Sequence, residues 1–511
     1  METLSLLGDG FIIALSWENL VWVIFGTIMG TLVGALPGLG PTAGMAVLLP
    51  FAFTLNPTSA LIMLGGIYYG AMYGGTITSV LLNIPGESDS IWTALEGHKL
   101  AQKGRGGAVL IIAAVMSFAA GTASLVLLVA LAPQLARWAL SFGPAEQFGV
   151  LLIGLAMISG LSSKQPVRGW MMLAFGLGIG MVGLDIVTGT PRFTFGVDRL
   201  LDGLDFLPVT VGMFGVAEVL ANVERNMRVT ADTSLGFRDM LPTREEWRKS
   251  RFPALRGTLI GFFIGIIPGS GTTMAATASY AVEQRVSRRP EEFGNGAIEG
   301  VAGPESANNA ATSGAMVPIL SLGVPSSPAT AVLFGAMLMQ GLRPGPLLFQ
   351  TNPTVIWGFL ASMYVGNVIL LILNTLFIPA FTKMTVKAVP ILNAFVLVLC
   401  FVGVYAFRNS LFDVGVMLTF GVIGYLLNKL SYPTMPLILG IVLGDVAELT
   451  LRQSLIISRG DPMIFFSSPI AATLMTVAIL VIVLPFVARL RRRFAAVKPT
   501  PKPNPTANQD V

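Results

Sequence analysis

The sequence predicts an all-α integral membrane protein with about eleven crossings, broken or re-entrant helices and two inverted-topology repeats. Three observations lead there. Hydrophobic residues make up 53% of the 511-residue chain and charged residues only 12%, against roughly 25% charged in soluble domains, and the mean hydropathy is +0.75. Apolar stretches near the ~20 residues that a spanning helix needs recur along the chain, for example 109–131, 355–381, 391–407 and 470–487. Finally, a broken-helix motif occurs twice, 231 residues apart. Gly26 to Thr42 aligns without a gap on Gly257 to Thr273, with eight of seventeen positions identical, Pro37-Gly38-x-Gly40-x-Thr42 and Pro268-Gly269-x-Gly271-x-Thr273 among them.

The elements follow in order. Residues 1–17 hold Glu2 and Asp9 but no Lys or Arg, which places them outside, and they lack the basic region and cleavage site of a removable signal peptide. Residues 18–221 form the first membrane repeat, 222–256 a basic cytoplasmic linker and 257–490 the second repeat. The tail 491–511, rich in Pro and preceded by Arg489, is read as cytoplasmic and disordered. Lys99, Lys103, Arg105, Lys164, Arg168, Lys383, Lys387 and Lys429 go inside, and the outer loops then hold isolated basic residues such as Arg137, Arg192, Arg343 and Arg408. The net charge of +5 thus records topology rather than nucleic-acid binding.

This assignment makes the repeated motif re-entrant. Arg251 and Arg256 precede the second copy, and Arg285, Arg288 and Arg289 follow it, so segment 257–282 enters and returns on the inner side. At about 1.5 Å per residue it is too short for two spans but suits two half-helices joined at Pro268-Gly269-Ser270-Gly271. The first copy does the same from outside, and both turns are expected near the midplane, facing each other. Irregular backbone at that depth requires a protein-lined cavity, because unpaired N–H and C=O groups are costly in hydrocarbon.

A second element is repeated as well. Leu95, Gly97, Leu100, Gln102, Arg105, Gly107 and Leu110 match Leu333, Gly335, Leu338, Gln340, Arg343, Gly345 and Leu348 at a spacing of 238. Before it each half carries another Pro break, Asn83-Ile84-Pro85-Gly86-Glu87-Ser88 in the first and Gly323-Val324-Pro325-Ser326-Ser327 in the second. Paired interruptions in corresponding positions of two halves point to a secondary transporter whose site lies between the repeats.

The residues at the breaks suit that chemistry. Half-helix N-termini present N–H groups to a carboxylate, and freed carbonyls around Gly38 and Gly269 would coordinate Na+. Thr42, Ser270 and Thr273 at the first breaks, and Asn83, Ser88, Ser326 and Ser327 at the second, supply small polar groups. Close helix packing or a kink is the alternative reading of the Gly and Pro residues. Glu87 either binds a cation or proton or caps the helix beginning near Ser90, and Asn308 and Asn309 either contact substrate or cation or cap the apolar stretch after them. Asp89 and Glu305 are the other acidic groups close by, and Arg105 and Arg343 read as loop anchors or as a cavity rim. The single Cys400 reads as a buried apolar residue and the single His98 as a solvated loop residue.

Other classes fit less well. The chain has no Gly-x-x-x-x-Gly-Lys-Ser/Thr loop for ATP and no His-Glu-x-x-His, and with one His it offers no plausible catalytic dyad, so it is read as no enzyme. A channel or a single-component carrier for another small organic anion is the rival, since broken helices also build filters.

Gly34-Ala35-Leu36-Pro37-Gly38-Leu39-Gly40-Pro41-Thr42, the stretch Tyr73 to Glu87 with Asn83-Ile84-Pro85-Gly86-Glu87, and Pro304-Glu305-Ser306-Ala307-Asn308-Asn309-Ala310-Ala311 resemble the large membrane subunit of tripartite tricarboxylate transporters, the TctA type. The resemblance covers residues 18 to 490. It implies a multi-pass permease of the bacterial inner membrane that takes up carboxylates on a cation gradient, Na+ or H+, with no other cofactor. It also implies two partners, a small membrane subunit of the TctB type and a periplasmic solute-binding protein of the TctC type.

Overall fold

The computed structural model describes residues 2–36, 38–161, 166–185, 187–225 and 241–496. Pro37, Lys164, residues 226–240 of the linker and residues 497–511 of the tail lie outside the described residues. After α1 (Glu2–Ala14), the first half runs α2 (Trp17–Ala35), a break, α3 (Gly40–Phe53), α4 (Pro57–Leu82), a second break and α5 (Ile91–Leu100). Then come α6 (Gly106–Ala139), α7 (Pro144–Leu161), α8 (Pro166–Gly180), α9 (Phe206–Thr210) and α10 (Ala217–Arg225). The second half repeats the order with α11 (Arg244–Ile266), a break, α12 (Gly271–Val286), α13 (Glu299–Leu322), a second break and α14 (Pro328–Met339). It continues with α15 (Leu348–Thr351), α16 (Pro353–Leu376), α17 (Ile378–Arg408), α18 (Leu411–Lys429), α19 (Met435–Ile457) and α20 (Pro469–Ala496). The strands among the described residues form one short hairpin, Gly183–Leu184 against Pro191–Arg192.

Length and hydropathy mark six described segments as able to cross a bilayer: Trp17–Ala35, Pro57–Leu82, Ser88–Ala139, Phe206–Glu224, Pro353–Leu376 and Leu411–Lys429. Shorter apolar stretches, such as Asn393–Arg408 and Pro469–Leu484, accompany them. The protein is therefore an all-α, multi-pass membrane protein. Helix α13 escapes a hydropathy criterion for a physical reason. It is rich in Ser, Thr, Asn and Gly, yet every residue from Gly300 to Ser321 is buried, so protein rather than lipid surrounds it.

Glycine spacing explains how the two halves come to pack alike. On α2, a Cβ added at Gly26, Gly30 or Gly34 would stand 2.4, 2.4 or 2.1 Å from the carbonyl oxygens of Met63, Ile67 and Ala71 on α4. On α11, one added at Gly257, Gly261 or Gly265 would stand 2.2, 2.2 or 2.3 Å from those of Gly303, Ala307 and Ala311 on α13. Glycine every fourth residue lines one helix face and lets two backbones touch. The halves then interlock, because α14 packs on α3 and α4 while the turn Ser88–Ser90 and α5 pack on α12 and α13.

Polar contacts gather the segments expected inside. Arg105 binds Glu246 at 2.6 Å, which makes it the anchor of the linker's end. The Lys103 ammonium donates to the Asn295 carbonyl at 2.7 Å, and Lys99 donates to that of Gly294. Arg256 on α11 meets Glu283 on α12 at 2.5 Å, so the second hairpin leaves and returns at one end. In the first hairpin the Asn56 amide, just after α3, donates to Glu18 at the start of α2 at 2.8 Å. His98 departs from expectation. It lies on α5, half-buried, with Nδ1 3.0 Å from the Val80 carbonyl, because α5 turns back onto α4. Cys400 is fully buried on α17, as expected.

Candidate functional site

The first breaks depend on left-handed glycines. Gly38 and Gly40 have φ of 88° and 50°, and Gly269 and Gly271 have 80° and 64°, values that side chains with a Cβ rarely tolerate. The Gly38 N–H donates to the Gly86 carbonyl at 3.5 Å and the Gly269 N–H to that of Ser326 at 2.9 Å, so in each half the first break leans on the second. The second turn also abuts α7, where a Cβ on Gly269 would stand 2.8 Å from the Ile158 Cα.

The helices that leave these breaks start without a side-chain cap at Leu39 or Ser270. The Ser270 hydroxyl instead donates backwards to the carbonyls of Ile264 at 2.5 Å and Ile267 at 2.7 Å, so it closes α11 rather than facing a ligand. The N-termini of α3 and α12 are thus left without a side-chain cap, and a helix end of that kind can take an anion. Thr42, half-buried, and Thr273, exposed, sit in those first turns, and Pro268 is half-buried before the second.

At the second breaks, Asn83 (φ 55°) and Gly323 (φ 70°) end α4 and α13 in the left-handed conformation. Glu87 and Ser327 then stand in equivalent extended cap positions. The Ser90 hydroxyl donates to the Glu87 carbonyl at 2.9 Å, and that of Thr330 to the Ser327 carbonyl at 2.9 Å. The capping reading of Glu87 therefore holds for its backbone. Its carboxylate lies against Gly40, about where a Cβ there would make van der Waals contact, and Oε1 is buried without a hydrogen-bond partner. Gly86 admits no side chain, since a Cβ would stand 2.3 Å from the Gly34 carbonyl oxygen. Pro325 and Ser326 are buried, Pro85 is half-buried, and Asn83 and Ser88 are exposed.

Asn308 and Asn309 are not caps. They lie midway along α13 at 3% and 0% exposure, because the apolar stretch they precede is the same helix continued. The Asn309 amide donates to the Glu305 carbonyl at 3.1 Å, while Oδ1 of both residues has no hydrogen-bond partner. Around them stand groups that the sequence did not mark. Thr76 donates to Glu305 Oε2 at 2.8 Å, and Ser124 to Ser313 at 2.7 Å, which also bonds the Tyr69 hydroxyl. The Tyr68 hydroxyl lies beside Ser327 and Thr312, and the Thr272 side chain beside Asp89. These residues sit in ordinary apolar or small-residue runs, so only the helix register joins them.

Elsewhere, a pocket of about 180 Å³ bordered by Thr3, Arg137, Gln350 and Trp357 holds none of these groups. Among the described residues no cluster of three or more His, Cys, Asp or Glu could hold a metal ion.

The chain is 43% identical over 496 residues, 96% of its length and 98% of the relative's, to an uncharacterised 52.8 kDa protein of Agrobacterium vitis from the TAR-I ttuC' 3' region. A protein of the TAR-II ttuC' 3' region in Agrobacterium vitis is 41% identical over 233 residues, 46% of this chain and 96% of that relative. No solved structure matches the chain. Residues 20–439 match the tripartite tricarboxylate transporter TctA family, and the chain, a transporter subunit of the membrane, belongs to that family.

Proposed function

We propose that this subunit imports carboxylates, a tricarboxylate or a related organic acid, across the bacterial inner membrane by symport with Na+ or H+. A small membrane subunit of the TctB type works beside it, and a periplasmic binding protein of the TctC type delivers substrate to its outer face. The observation that carries this reading is the pair of uncapped helix N-termini at Gly40 and Gly271. Each lies at a break that leans on a second break, and the two halves interlock around them. Two positive dipole ends on interlocked repeats suit an anion with several carboxylates.

Uptake of labelled citrate into proteoliposomes tests the proposal. Accumulation against its gradient should require the large subunit, the small subunit, the binding protein and a cation gradient together. Mere equilibration without a cation gradient would indicate a channel. Full uptake by the large subunit alone would indicate a single-component carrier.

A further inference from the structure

We propose that a sodium ion binds between the two halves at the Asp89 carboxylate, the Asn308 amide oxygen and the Tyr68 hydroxyl, a site that rests on the symport reading above and differs from the carbonyls around Gly38 and Gly269. Three oxygen atoms motivate it. Asp89 Oδ2, Asn308 Oδ1 and the Tyr68 hydroxyl are buried without a hydrogen-bond partner, in residues only 4%, 3% and 1% exposed. Buried polar atoms nearly always have partners, so three orphans in one region indicate a missing ligand.

Helix register places them together. Glu305, Asn308 and Thr312 stand at i, i+3 and i+7 on α13, hence on one face. Asp89 lies within the electrostatic reach of Glu305 at one end of that face. Tyr68 lies beside Thr312 at the other end, and within reach of both Glu87 and Asp89. Asn308 is between them. The second break of the first half, α4 and α13 thus meet at this face, and Thr272 of α12 brings a further hydroxyl to Asp89.

Charge identifies the ligand's sign. Asp89 acts on both Glu87 and Glu305, and no Lys or Arg is among the groups that act on any of the three. Buried carboxylates without a counter-ion are costly in a membrane protein. Glu305 is already served by Thr76 and Thr93, one hydroxyl on each oxygen, which leaves Glu87 Oε1 and Asp89 Oδ2 without a partner, and of these two Asp89 is the one within electrostatic reach of Glu305 as well as of Tyr68. One such carboxylate among neutral oxygens suits a hard monovalent cation, and the described residues offer no cluster of acidic groups for a divalent one. The site also suggests how coupling works. Thr272 belongs to the first turn of α12, so a cation at Asp89 would cancel the negative charge that otherwise repels a carboxylate from that helix N-terminus.

The test needs neither substrate nor binding protein. The membrane subunits are purified together and NaCl is titrated against choline chloride at constant ionic strength and pH, with thermal midpoint and tryptophan emission as readouts. Trp92, three residues after Asp89, stacks on Tyr280 with ring centroids 4.1 Å apart and donates to Thr277 of α12, so it should report closure there. A saturable, sodium-specific rise is expected in the native protein. Asp89→Asn and Asn308→Ala should raise the half-saturating sodium concentration at least tenfold, and Tyr68→Phe less. Asp89→Glu should recover part of the response, which separates lost binding from lost folding. An unchanged half-saturation in Asp89→Asn, or no sodium response in the native protein, overturns the site. Failed citrate uptake with an intact sodium response would refute the transport reading alone, so the two failures are distinguishable.

Discussion

Thr93 of α5 donates its hydroxyl to Glu305 of α13 at 2.5 Å, and this bond ties the helix after the second break of the first half to the fully enclosed helix of the second. Thr93→Val or Thr76→Val leaves one carboxylate oxygen of a buried Glu without a donor. Each should cost about 1–3 kcal/mol. A fall in the thermal midpoint of both variants checks this, and the double variant should lose less than the sum, since the two donors serve the two oxygens of one carboxylate.

The glycine seams should tolerate nothing larger. Gly30→Val and Gly261→Val would drive a side chain into a facing carbonyl, at a cost well beyond the ~1–3 kcal/mol of ordinary overpacking. Folded yield by size-exclusion chromatography should collapse for both. Gly8→Ala and Gly178→Ala, at positions where an added Cβ meets nothing within 4 Å, should leave it unchanged.

Thr42→Val and Thr273→Val keep the volume and remove a hydroxyl at each open helix start. Both should lower citrate uptake roughly tenfold, the worth of one hydrogen bond to a charged ligand, with normal expression and subunit assembly. Normal uptake by both variants would exclude these hydroxyls from the substrate's path.

Side-specific labelling checks the hairpin. In a Cys400→Ser background, Cys introduced at Arg285 and at Lys99 should react from the same, inner side. Reaction at 285 from outside alone would mean that α12 crosses fully.

The loop of the short hairpin carries a pH signature. Backbone N–H groups, that of Thr188 foremost at 2.7 Å, hold the Asp185 carboxyl well below the usual carboxylate range, with Arg452 at 2.8 Å adding to the effect. A depressed folded pKa gives stability that is fully present above the unfolded value near ~4 and is lost as pH falls below it. Thermal midpoints measured from pH 7 to pH 3 should therefore show a gap between the native protein and Asp185→Asn. The gap should be constant above about pH 5 and narrow below about pH 4.

The Pro-Gly-x-Gly duplication was legible because glycines at positive φ have no substitute, so identity survives at Gly38 and Gly269. The second break is duplicated too, but the sequence marks it only by Pro85 and Pro325, and its finer correspondence is hidden. Asn83 and Gly323 share a left-handed φ, Glu87 and Ser327 a cap position, and Ser90 and Thr330 a capping hydroxyl. In these pairs the conformation persists while the residue changes, so letter matching passes over it. Helix α13 was obscured for the opposite reason. Its polar composition leaves Asn308 and Asn309 open to a capping reading beside the ligand-contact one, because nothing local reveals that other helices enclose it on every side. The partners of Glu305 come from segments more than 200 residues away, a distance across which no periodicity carries information.

Backbones that touch along three successive turns cannot slip past one another. A shift of α2 along α4, or of α11 along α13, by a fraction of a turn would set a non-glycine Cβ against a carbonyl, so each pair behaves as a single stiff plank. The slack of the molecule must then lie between the planks, where hydroxyls meet carboxylates and a bond can be exchanged for a bound ion or water at little cost. The spacing of six glycines thus decides where this protein is able to bend.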